Sequence, residues 1–271
     1  METNTNPTWQ AILTDAIAKP GIIHEAYSRF PNYSCGNQML AIWQCAARGI
    51  EAGPIGTFLH WKDAGRFVRK GEKAIQLCMP VSCKGTKTVT AEDGTKTEET
   101  YSFARFTYRN NWFVLAQTDG KPYELPPMPT WSKEMALSGL NVAEVPFSHT
   151  DGNCFGFAAK RTLSVSPLAP LPHKTLFHEL AHILLGHTAE GGLNDGERTE
   201  KSIREIEAEA VALICCESLE LPGAEFCRGY IQNWGSTIPE RSAQKIFHAA
   251  DQILKAGRAV TAQEQSYADF S

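Results

Sequence analysis

The feature that most constrains this chain is one pentapeptide, His178-Glu179-Leu180-Ala181-His182. In a helix, residues four apart project from the same face, so the two imidazoles can grip one tetrahedral ion. Glu179 follows the first histidine, and its carboxylate can reach a water on that ion without ligating it. Pro172 and Gly186 suit the start and the end of one helix over this region. The pattern predicts a metal-binding helix with Glu179 as the catalytic base.

A third protein ligand has to come from outside this helix. His187 lies five residues after His182 and is turned about 140° from the ligand face, so we interpret it as a polar residue just past the helix end. Glu205 and Glu209 are better candidates, because they stand four apart on the next long predicted helix. Two such carboxylates repel each other at the edge of a buried stripe unless a cation or a histidine compensates them. Glu207, between them, is interpreted as a solvated surface charge.

The gluzincin arrangement uses both kinds of carboxylate. In it a glutamate ligates the metal, and an acidic residue one turn later accepts the other ring N–H of a ligand histidine. We therefore assign His178, His182 and Glu205 as ligands and Glu209 as the orienting residue, with the reverse order of the two glutamates left open. Such a site suits Zn²⁺ and also accepts Mn²⁺ or Co²⁺. The expected enzyme class is a gluzincin-like zinc metallopeptidase.

The first half of the chain predicts a mixed α+β region. Helices are predicted over residues 8–30, with a break at Pro20-Gly21, and over residues 34–48, where Gly49 suits the helix end. Further on the period becomes strand-like, and Asp93-Gly94 is a strong hairpin turn signal. We expect a small antiparallel sheet there, joined to the helices.

A proline-rich segment divides the chain. Residues 122–131 hold four prolines, which cannot form a helix and make a poor strand. We place a linker there, between a first domain over residues 1–121 and a mainly helical second domain over residues 132–271. The expected fold class is therefore α+β in two domains. In the second domain, a strand or bent hairpin is predicted over 156–166 and helices over 132–138, 172–186, 202–219 and 242–256.

The charge distribution limits the partners of the chain. Its net charge of −4 excludes a uniformly basic nucleic-acid-binding protein. Residues 1–150 hold 15 basic and 14 acidic residues, whereas residues 151–271 hold 11 and 16. Within residues 57–87, seven basic residues stand against two acidic ones. A polyanionic partner is therefore expected to meet that segment.

The compartment follows from three simpler features. The sequence shows no apolar run long enough to span a membrane and no signal pattern in its first residues. We therefore expect a cytoplasmic protein with no membrane partner. The eight cysteines form no C-x-x-C pair, and we expect them to be reduced and mostly buried.

Several stretches resemble ArdC-type antirestriction proteins, in the family's order. They are residues 33–43, 58–73, 113–118, 175–182 and 205–212. The resemblance implies an N-terminal single-stranded-DNA-binding domain joined to a zincin-like metallopeptidase domain, and a role in protecting incoming plasmid or mobile-element DNA from restriction. The chain departs from the family at Ile183–His187, where a Trp-Thr-Gly-His run is usual, and at Arg204 and Glu207 in the later helix.

The resemblance and the basic segment together assign residues to single-stranded DNA. Trp61 is expected to stack on a base, as are aromatic residues of the adjacent sheet, although at least half of the sheet aromatics should face the core. Asn37 lies in the first matching stretch and is included. The expected phosphate-binding residues are Arg66, Arg69, Lys70 and Lys73.

Two other functions fit the sequence. One is a regulatory peptidase like the ImmA/IrrE proteins, which would cleave a protein partner and have no DNA-binding role. The other is a DNA-binding protein whose metal site is structural and inert. The basic segment favours the DNA-binding peptidase over the first, and Glu179 disfavours the second, because a purely structural site does not need that carboxylate.

Overall fold

The computed structural model divides the chain into two units. It describes residues 7–90, 96–124, 128, 130–148, 154–188, 200–234 and 237–259. One unit is Gln44–Glu124, and the other combines Met1–Trp43 with Leu125–Ser271. This division differs from the predicted domains, 1–121 and 132–271, because the first helices pack with the second half of the chain. Four positions of the predicted linker, 125–127 and 129, lie outside the described residues.

Three helices open the chain. They are α1 (Trp9–Ala18), α2 (Ile22–Arg29) and α3 (Cys35–Arg48). The predicted break between the first two is confirmed at Gly21, whose φ of +86° belongs to the left-handed region that favours glycine. Gly49 ends α3 with a φ of +63°, and the next N–H, from Ile50, donates to the Cys45 carbonyl at 2.9 Å.

An antiparallel sheet forms the unit Gln44–Glu124, as predicted. Its elements are β1 (Ile55–Thr57), α4 (Phe58–Asp63), β2 (Arg66–Val68), β3 (Ile75–Thr90), β4 (Lys96–Val114) and β5 (Thr118–Gly120). The strands pair in the order β1-β4-β3, and β2 pairs separately with β5. The predicted hairpin joins β3 to β4, while its Asp93-Gly94 turn lies outside the described residues.

The core of this unit is built around a tryptophan. Trp61 in α4 is fully buried, at 0% exposure, together with Ile75, Leu77 and Val114 from the sheet. Its indole N–H donates to the Phe113 carbonyl at 2.8 Å, which satisfies the one polar atom that its burial would otherwise leave unpaired.

The second half of the chain is mainly helical, as predicted. It contains α5 (Lys133–Gly139), β6 (Ala143–Glu144), β7 (Gly156–Ala159), β8 (Thr162–Val165), α6 (Pro172–Leu184), α7 (Lys201–Ser218), α8 (Ala224–Trp234) and α9 (Glu240–Ala256). The short strands lie in the order β6-β8-β7. The sequence did not predict α8, which follows the Pro222-Gly223 pair that ends the preceding helix.

Helix α7 is the centre of its unit. Thirteen consecutive residues, 206–218, are buried, so this helix is covered on every side by its neighbours. It packs against α6, α8, α9 and α2. Small side chains at Ala208, Ala210 and Ala212 let these helices approach closely. The His178–His182 stretch of α6 therefore packs against a helix whose residues 206–218 are fully surrounded.

Side chains from the second half hold both ends of α1. Glu240 accepts the first N–H groups of α1, from Trp9 at 3.1 Å and from Gln10 at 2.7 Å. Arg228 is buried, and its guanidinium donates to the carbonyls of Ala16 and Ile17 at the other end. These contacts satisfy backbone groups that a helix terminus leaves unpaired, which explains why α1 packs with the second half.

Two remaining expectations concern membranes and cysteines. Among the described residues, no helix is both long enough and apolar enough to cross a membrane. All eight cysteines lie in described residues as free thiols, and five of them are buried. The prediction of mostly buried thiols is confirmed.

Candidate metal centre and nucleic-acid surface

The structure brings His178, His182 and Glu205 together at one point between α6 and α7. The two histidine Nε2 atoms lie 3.1 Å apart. Glu205 Oε2 lies 3.4 Å from His178 Nε2, and its Oε1 lies 3.7 Å from His182 Nε2. The side chain of Glu205 is one-third exposed, so the cluster has an open side.

These separations fit a tetrahedral ion. Metal–ligand distances of about 2.0–2.1 Å place two ligand atoms roughly 3.3–3.4 Å apart at a tetrahedral angle. The observed separations of 3.1, 3.4 and 3.7 Å bracket that value. Two imidazole nitrogens, one carboxylate and an open side are the donor set that catalytic zinc sites use. The residues present therefore fit a divalent metal.

Glu179 is buried beside the cluster, with β7 against it. Burial raises the pKa of its carboxyl above the ordinary value, although the nearby His178 and His182 oppose that shift. A raised pKa moves a carboxylate towards the range in which it can both accept and return a proton near neutral pH. Burial and the raised pKa of its carboxyl are therefore the features that Glu179 shares with acid–base residues.

Glu209 lies behind the cluster, on the far side of His178. Its Oε1 is 3.2 Å from His178 Nδ1 and 2.5 Å from Lys174 Nζ. The Nδ1 atom is buried and lacks a well-aligned hydrogen bond, so this carboxylate is its nearest acceptor. Burial alone would raise the pKa of Glu209, but the contacts to His178 and Lys174 lower it to about 2. Glu209 is therefore a permanent anion behind the first histidine.

His187 lies just past the end of α6, as predicted, but its side chain contacts the site. His187 Nδ1 is 2.9 Å from His182 Nδ1, and His187 Nε2 is 2.9 Å from Glu207 Oε2. The interpretation of Glu207 as a solvated surface charge is wrong, because this residue is buried. Apolar residues surround Glu207 in the sequence of α7, among them Ile206 and Ala208, and this pattern could have indicated that the residue is buried.

Two residues assigned to DNA lie in the interior instead. Trp61 is fully buried, so its ring cannot stack on a base, and its indole is already used inside the unit. Asn37 in α3 is buried as well. Both assignments are corrected: a sequence motif shared within a family also marks residues that stabilise its core.

Two of the four predicted phosphate-binding residues are used internally. Arg66 donates to Thr118 Oγ1 and to its carbonyl, each at 2.8 Å, and also to the Lys121 carbonyl. Arg69 pairs with Glu72 at 2.8 Å and with Asp119 at 3.5 Å. These contacts fix the loop around β2 and β5, and they neutralise the charge of Arg69.

The other two basic residues are available. Lys70 and Lys73 are exposed, and within the part of the chain that the structure describes neither forms an ion pair. They lie on either side of Glu72, in the turn where Gly71 adopts a φ of +92°. Of the four predicted phosphate-binding residues, these two lysines therefore remain the candidates for contacts to phosphate.

The hairpin of β3 and β4 carries more exposed aromatic residues than expected. Tyr101, Phe103 and Phe106 are all exposed, with Phe106 the most open at 67%. The expectation that at least half of the sheet aromatics face the core fails for this group, because β1 covers only residues 112–114 of β4. Further along the hairpin, the described residues 81–88 and 100–106 are all exposed or half-exposed.

Comparisons with known proteins agree with the predicted family. Residues 2–110 match the family model for the N-terminal domain of anti-restriction factor ArdC. Two crystal structures of the antirestriction ArdC protein from the R388 plasmid resemble the chain. The metal-free structure is 22% identical, covers 97% of this chain and 98% of that chain, and has a TM-score of 0.46. The Mn(II)-bound structure is 19% identical, covers 93% and 99%, and has a TM-score of 0.50. No curated protein matches the chain.

The family model confirms the resemblance to ArdC-type proteins through the N-terminal domain. It spans the three opening helices and most of the sheet, so it crosses the boundary between the two units. The Mn(II)-bound structure confirms the mixed helix-and-sheet fold over nearly the whole chain.

Proposed function

We propose, from the match of residues 2–110 to the family model for the N-terminal domain of anti-restriction factor ArdC, an antirestriction-type protein that binds single-stranded DNA and hydrolyses peptide bonds at a divalent metal. Its role would be to protect incoming plasmid or mobile-element DNA from restriction. The main support for the proposed peptidase activity is the cluster formed by His178, His182 and Glu205, with Glu179 beside it.

The metal would be held by His178 Nε2, His182 Nε2 and a Glu205 oxygen. Zinc is the proposed ion because this donor set is common in zinc peptidases, while Mn²⁺ and Co²⁺ are the alternatives. The R388 ArdC protein, whose crystal structure has a Mn(II)-bound form, supports the proposal that this chain also binds a divalent ion. When bound, the ion would polarise the peptide carbonyl and lower the pKa of a water molecule.

The remaining chemistry belongs to side chains of the chain itself. Glu179 accepts a proton from the attacking water and returns it to the leaving amine nitrogen. Its burial and the raised pKa of its carboxyl suit this two-way transfer. Glu209 and Lys174 keep a fixed charge behind His178 and so hold that ring in place.

Single-stranded DNA would lie on the unit Gln44–Glu124. Lys70 and Lys73 offer exposed charges for phosphates, and the hairpin aromatics Tyr101, Phe103 and Phe106 offer exposed rings for bases. Exposed aromatic platforms together with exposed positive charge on one unit are typical of surfaces that bind single strands without strong sequence preference. The hairpin aromatics thus take the base-stacking role that the sequence analysis assigned to Trp61, which is buried.

The peptidase half is tested with Glu179→Gln. The variant should keep its metal content and melting temperature but lose cleavage of a casein and peptide-library substrate, assayed separately with Zn²⁺, Mn²⁺ and Co²⁺. Glu225→Gln, a change at an exposed glutamate of α8, should cleave at the unchanged rate. Cleavage by Glu179→Gln at the normal rate would disprove the mechanism, and no cleavage by any metal form would disprove the peptidase.

The DNA half is tested by anisotropy titrations of single- and double-stranded oligonucleotides with the full chain. We expect salt-dependent affinity that is stronger for single strands and unchanged by a chelator. If the oligonucleotides do not bind at low salt, the DNA-binding role is wrong. Transfer of an unmodified plasmid into a restricting host, with and without the protein, then tests the antirestriction role.

A further inference from the structure

The buried side chains of His187 and Glu207 lie outside the cluster of candidate metal ligands. They form a hydrogen-bonded series that ends at His182, one of those ligands. His182 Nδ1 lies 2.9 Å from His187 Nδ1, and His187 Nε2 lies 2.9 Å from Glu207 Oε2. The side chains of His187 and Glu207 are only 7% and 5% exposed. We propose that His187 and Glu207 are positioning residues that fix the ring orientation and the tautomer of His182 for metal binding. The inference rests on the proposed metal centre.

The distances allow only one position for the ring proton of each histidine in this hydrogen-bonded series. The Nε2 atom of His182 faces His178 Nε2 and Glu205, so it is the atom that would bind the metal. A neutral imidazole that binds through Nε2 carries its proton on Nδ1 and must donate it. The acceptor at 2.9 Å is His187 Nδ1, which leaves the proton of His187 on Nε2. That proton is donated to Glu207, whose carboxylate can only accept.

The position of Glu207 on α7 supports a role through His187. Two residues correspond to about 200° around a helix, so Glu207 points almost opposite to Glu205 and cannot reach the metal itself. A carboxylate that is buried without donors is costly, and Glu207 has donors from His187 and Ser242. The side chain of His187, just past the end of α6, thus joins the proposed ligand His182 to a carboxylate on a different face of α7 from Glu205.

The two ligand histidines are therefore held by different means. His178 Nδ1 faces a carboxylate directly, since Glu209 Oε1 is 3.2 Å away. His182 Nδ1 faces a second imidazole, and the carboxylate stands one ring further out. Orientation is what this longer chain supplies, because the charge of Glu207 is too remote to polarise His182 as strongly as Glu209 polarises His178.

The test compares variants that keep or remove hydrogen bonds. Glutamine at residue 187 can accept from His182 and donate to Glu207, whereas leucine can do neither. In the full chain, His187→Leu should weaken Zn²⁺ binding about 10–100-fold in competition with a chromophoric chelator, as changes behind a ligand do, and His187→Gln should recover most of the loss. His173→Gln, at an exposed histidine of α6, is the matched control and should bind Zn²⁺ normally.

A second measurement needs no variant. Long-range ¹H–¹⁵N correlation spectra of the histidine-labelled, zinc-loaded chain should show His182 protonated at Nδ1 and His187 protonated at Nε2. Equal zinc affinity of the leucine and glutamine variants, or a His187 protonated at Nδ1, would overturn the proposal while leaving the metal centre intact. A wild-type chain that binds none of Zn²⁺, Mn²⁺ and Co²⁺ would overturn the proposed metal centre, and the positioning role with it.

Discussion

The backbone of Gly156 lies directly against the carboxylate of Glu179. A Cβ atom on Gly156 would stand 3.0 Å from Glu179 Oε1 and 2.6 Å from Thr175 Cγ2. A contact of 2.6 Å does not occur at real Cβ atoms and one of 3.0 Å is unusually tight, so β7 can run this close to α6 because residue 156 has no side chain. The strand therefore limits where the Glu179 carboxylate can sit.

We predict that Gly156→Ala displaces Thr175 and Glu179. The added methyl group overfills a packed contact, which should lower the free energy of unfolding by about 1–3 kcal/mol in a denaturant titration. The matched control is Gly229→Ala in α8, where no atom lies within 4 Å of the new methyl group. Since alanine favours a helix over glycine, this control should leave stability unchanged or raise it by up to about 1 kcal/mol. A Gly156→Ala protein as stable as that control would show that the contact is not rigid.

The metal-free site should make stability depend on pH through His178. Burial alone would lower the pKa of this imidazole, but the nearby carboxylates of Glu205 and Glu209 raise it from 6.5 to about 9. A group whose pKa is raised on folding stabilises the protein fully below its unfolded value, and that stabilisation is lost as pH rises through its folded value. The melting temperature of the chelator-treated protein should therefore fall between pH 6.5 and 9.

The stabilisation that a bound metal provides should increase with pH over the same range. Metal binding needs neutral His178, so protons compete with the ion until pH approaches 9. The gap in melting temperature between zinc-loaded and metal-free protein should widen from pH 6.5 to 9, as measured by differential scanning fluorimetry. In His178→Gln the metal-free melting temperature should lose this pH dependence. A gap that narrows with rising pH would contradict the assigned protonation state.

The sequence predicted the elements better than the way they assemble. Helix ends at Pro20-Gly21 and Gly49 follow from local backbone rules, so they could be read directly. The packing of α1 with the second half could not, because it depends on Glu240 and Arg228, which lie more than two hundred residues along the chain from their partners. No local pattern of charge or hydrophobicity encodes such a distant contact.

The candidate site shows the same division. The spacing of His178 and His182 and of Glu205 and Glu209 follows from helix geometry, and helix geometry is local. The contact between Glu207 and His187 could not be predicted, because it joins a residue just past the end of α6 to a carboxylate on a different helix that is buried on every side. Residue type alone likewise cannot separate a stacking tryptophan from a core tryptophan.

Trp61 should act on stability rather than on DNA. Its ring is fully buried and its N–H is bonded to Phe113, so Trp61→Ala should cost about 3–5 kcal/mol of unfolding free energy. The matched aromatic is Phe106, which is 67% exposed on the hairpin. Phe106→Ala should leave thermal melting unchanged and weaken oligonucleotide binding by about 1–3 kcal/mol, if the ring stacks on a base. A Trp61→Ala protein with wild-type melting but lost DNA affinity would reverse these roles.

The salt dependence of DNA binding should separate Lys70 and Lys73 from the two arginines near them. Each charge that neutralises a phosphate contributes about 0.7 to the slope of log affinity against log salt for a single strand. Replacing both lysines with alanine should therefore flatten the slope by about 1.4, with little change in melting temperature.

Replacing Arg66 and Arg69 with alanine should affect the melting temperature more than the salt slope. Arg69 is already paired with Glu72 and Asp119, and the guanidinium of Arg66 donates its hydrogen bonds to Thr118, so the donors of both side chains are already used. The double alanine variant should melt at a lower temperature, and its slope should change less than that of the lysine pair.

A control pair comes from lysines that neutralise carboxylates elsewhere. Lys19 pairs with Asp15 at 2.8 Å, and Lys133 pairs with Glu144 at 2.7 Å. Replacing both should leave the slope unchanged, because surface pairs of this kind contribute little and face no proposed DNA surface. All three double variants are compared in anisotropy titrations from low to moderate salt with one oligonucleotide. If the arginine pair flattens the slope as much as the lysine pair does, Glu72 and Asp119 release Arg69 when DNA binds, and the phosphate-binding surface includes the arginines as well as the lysines.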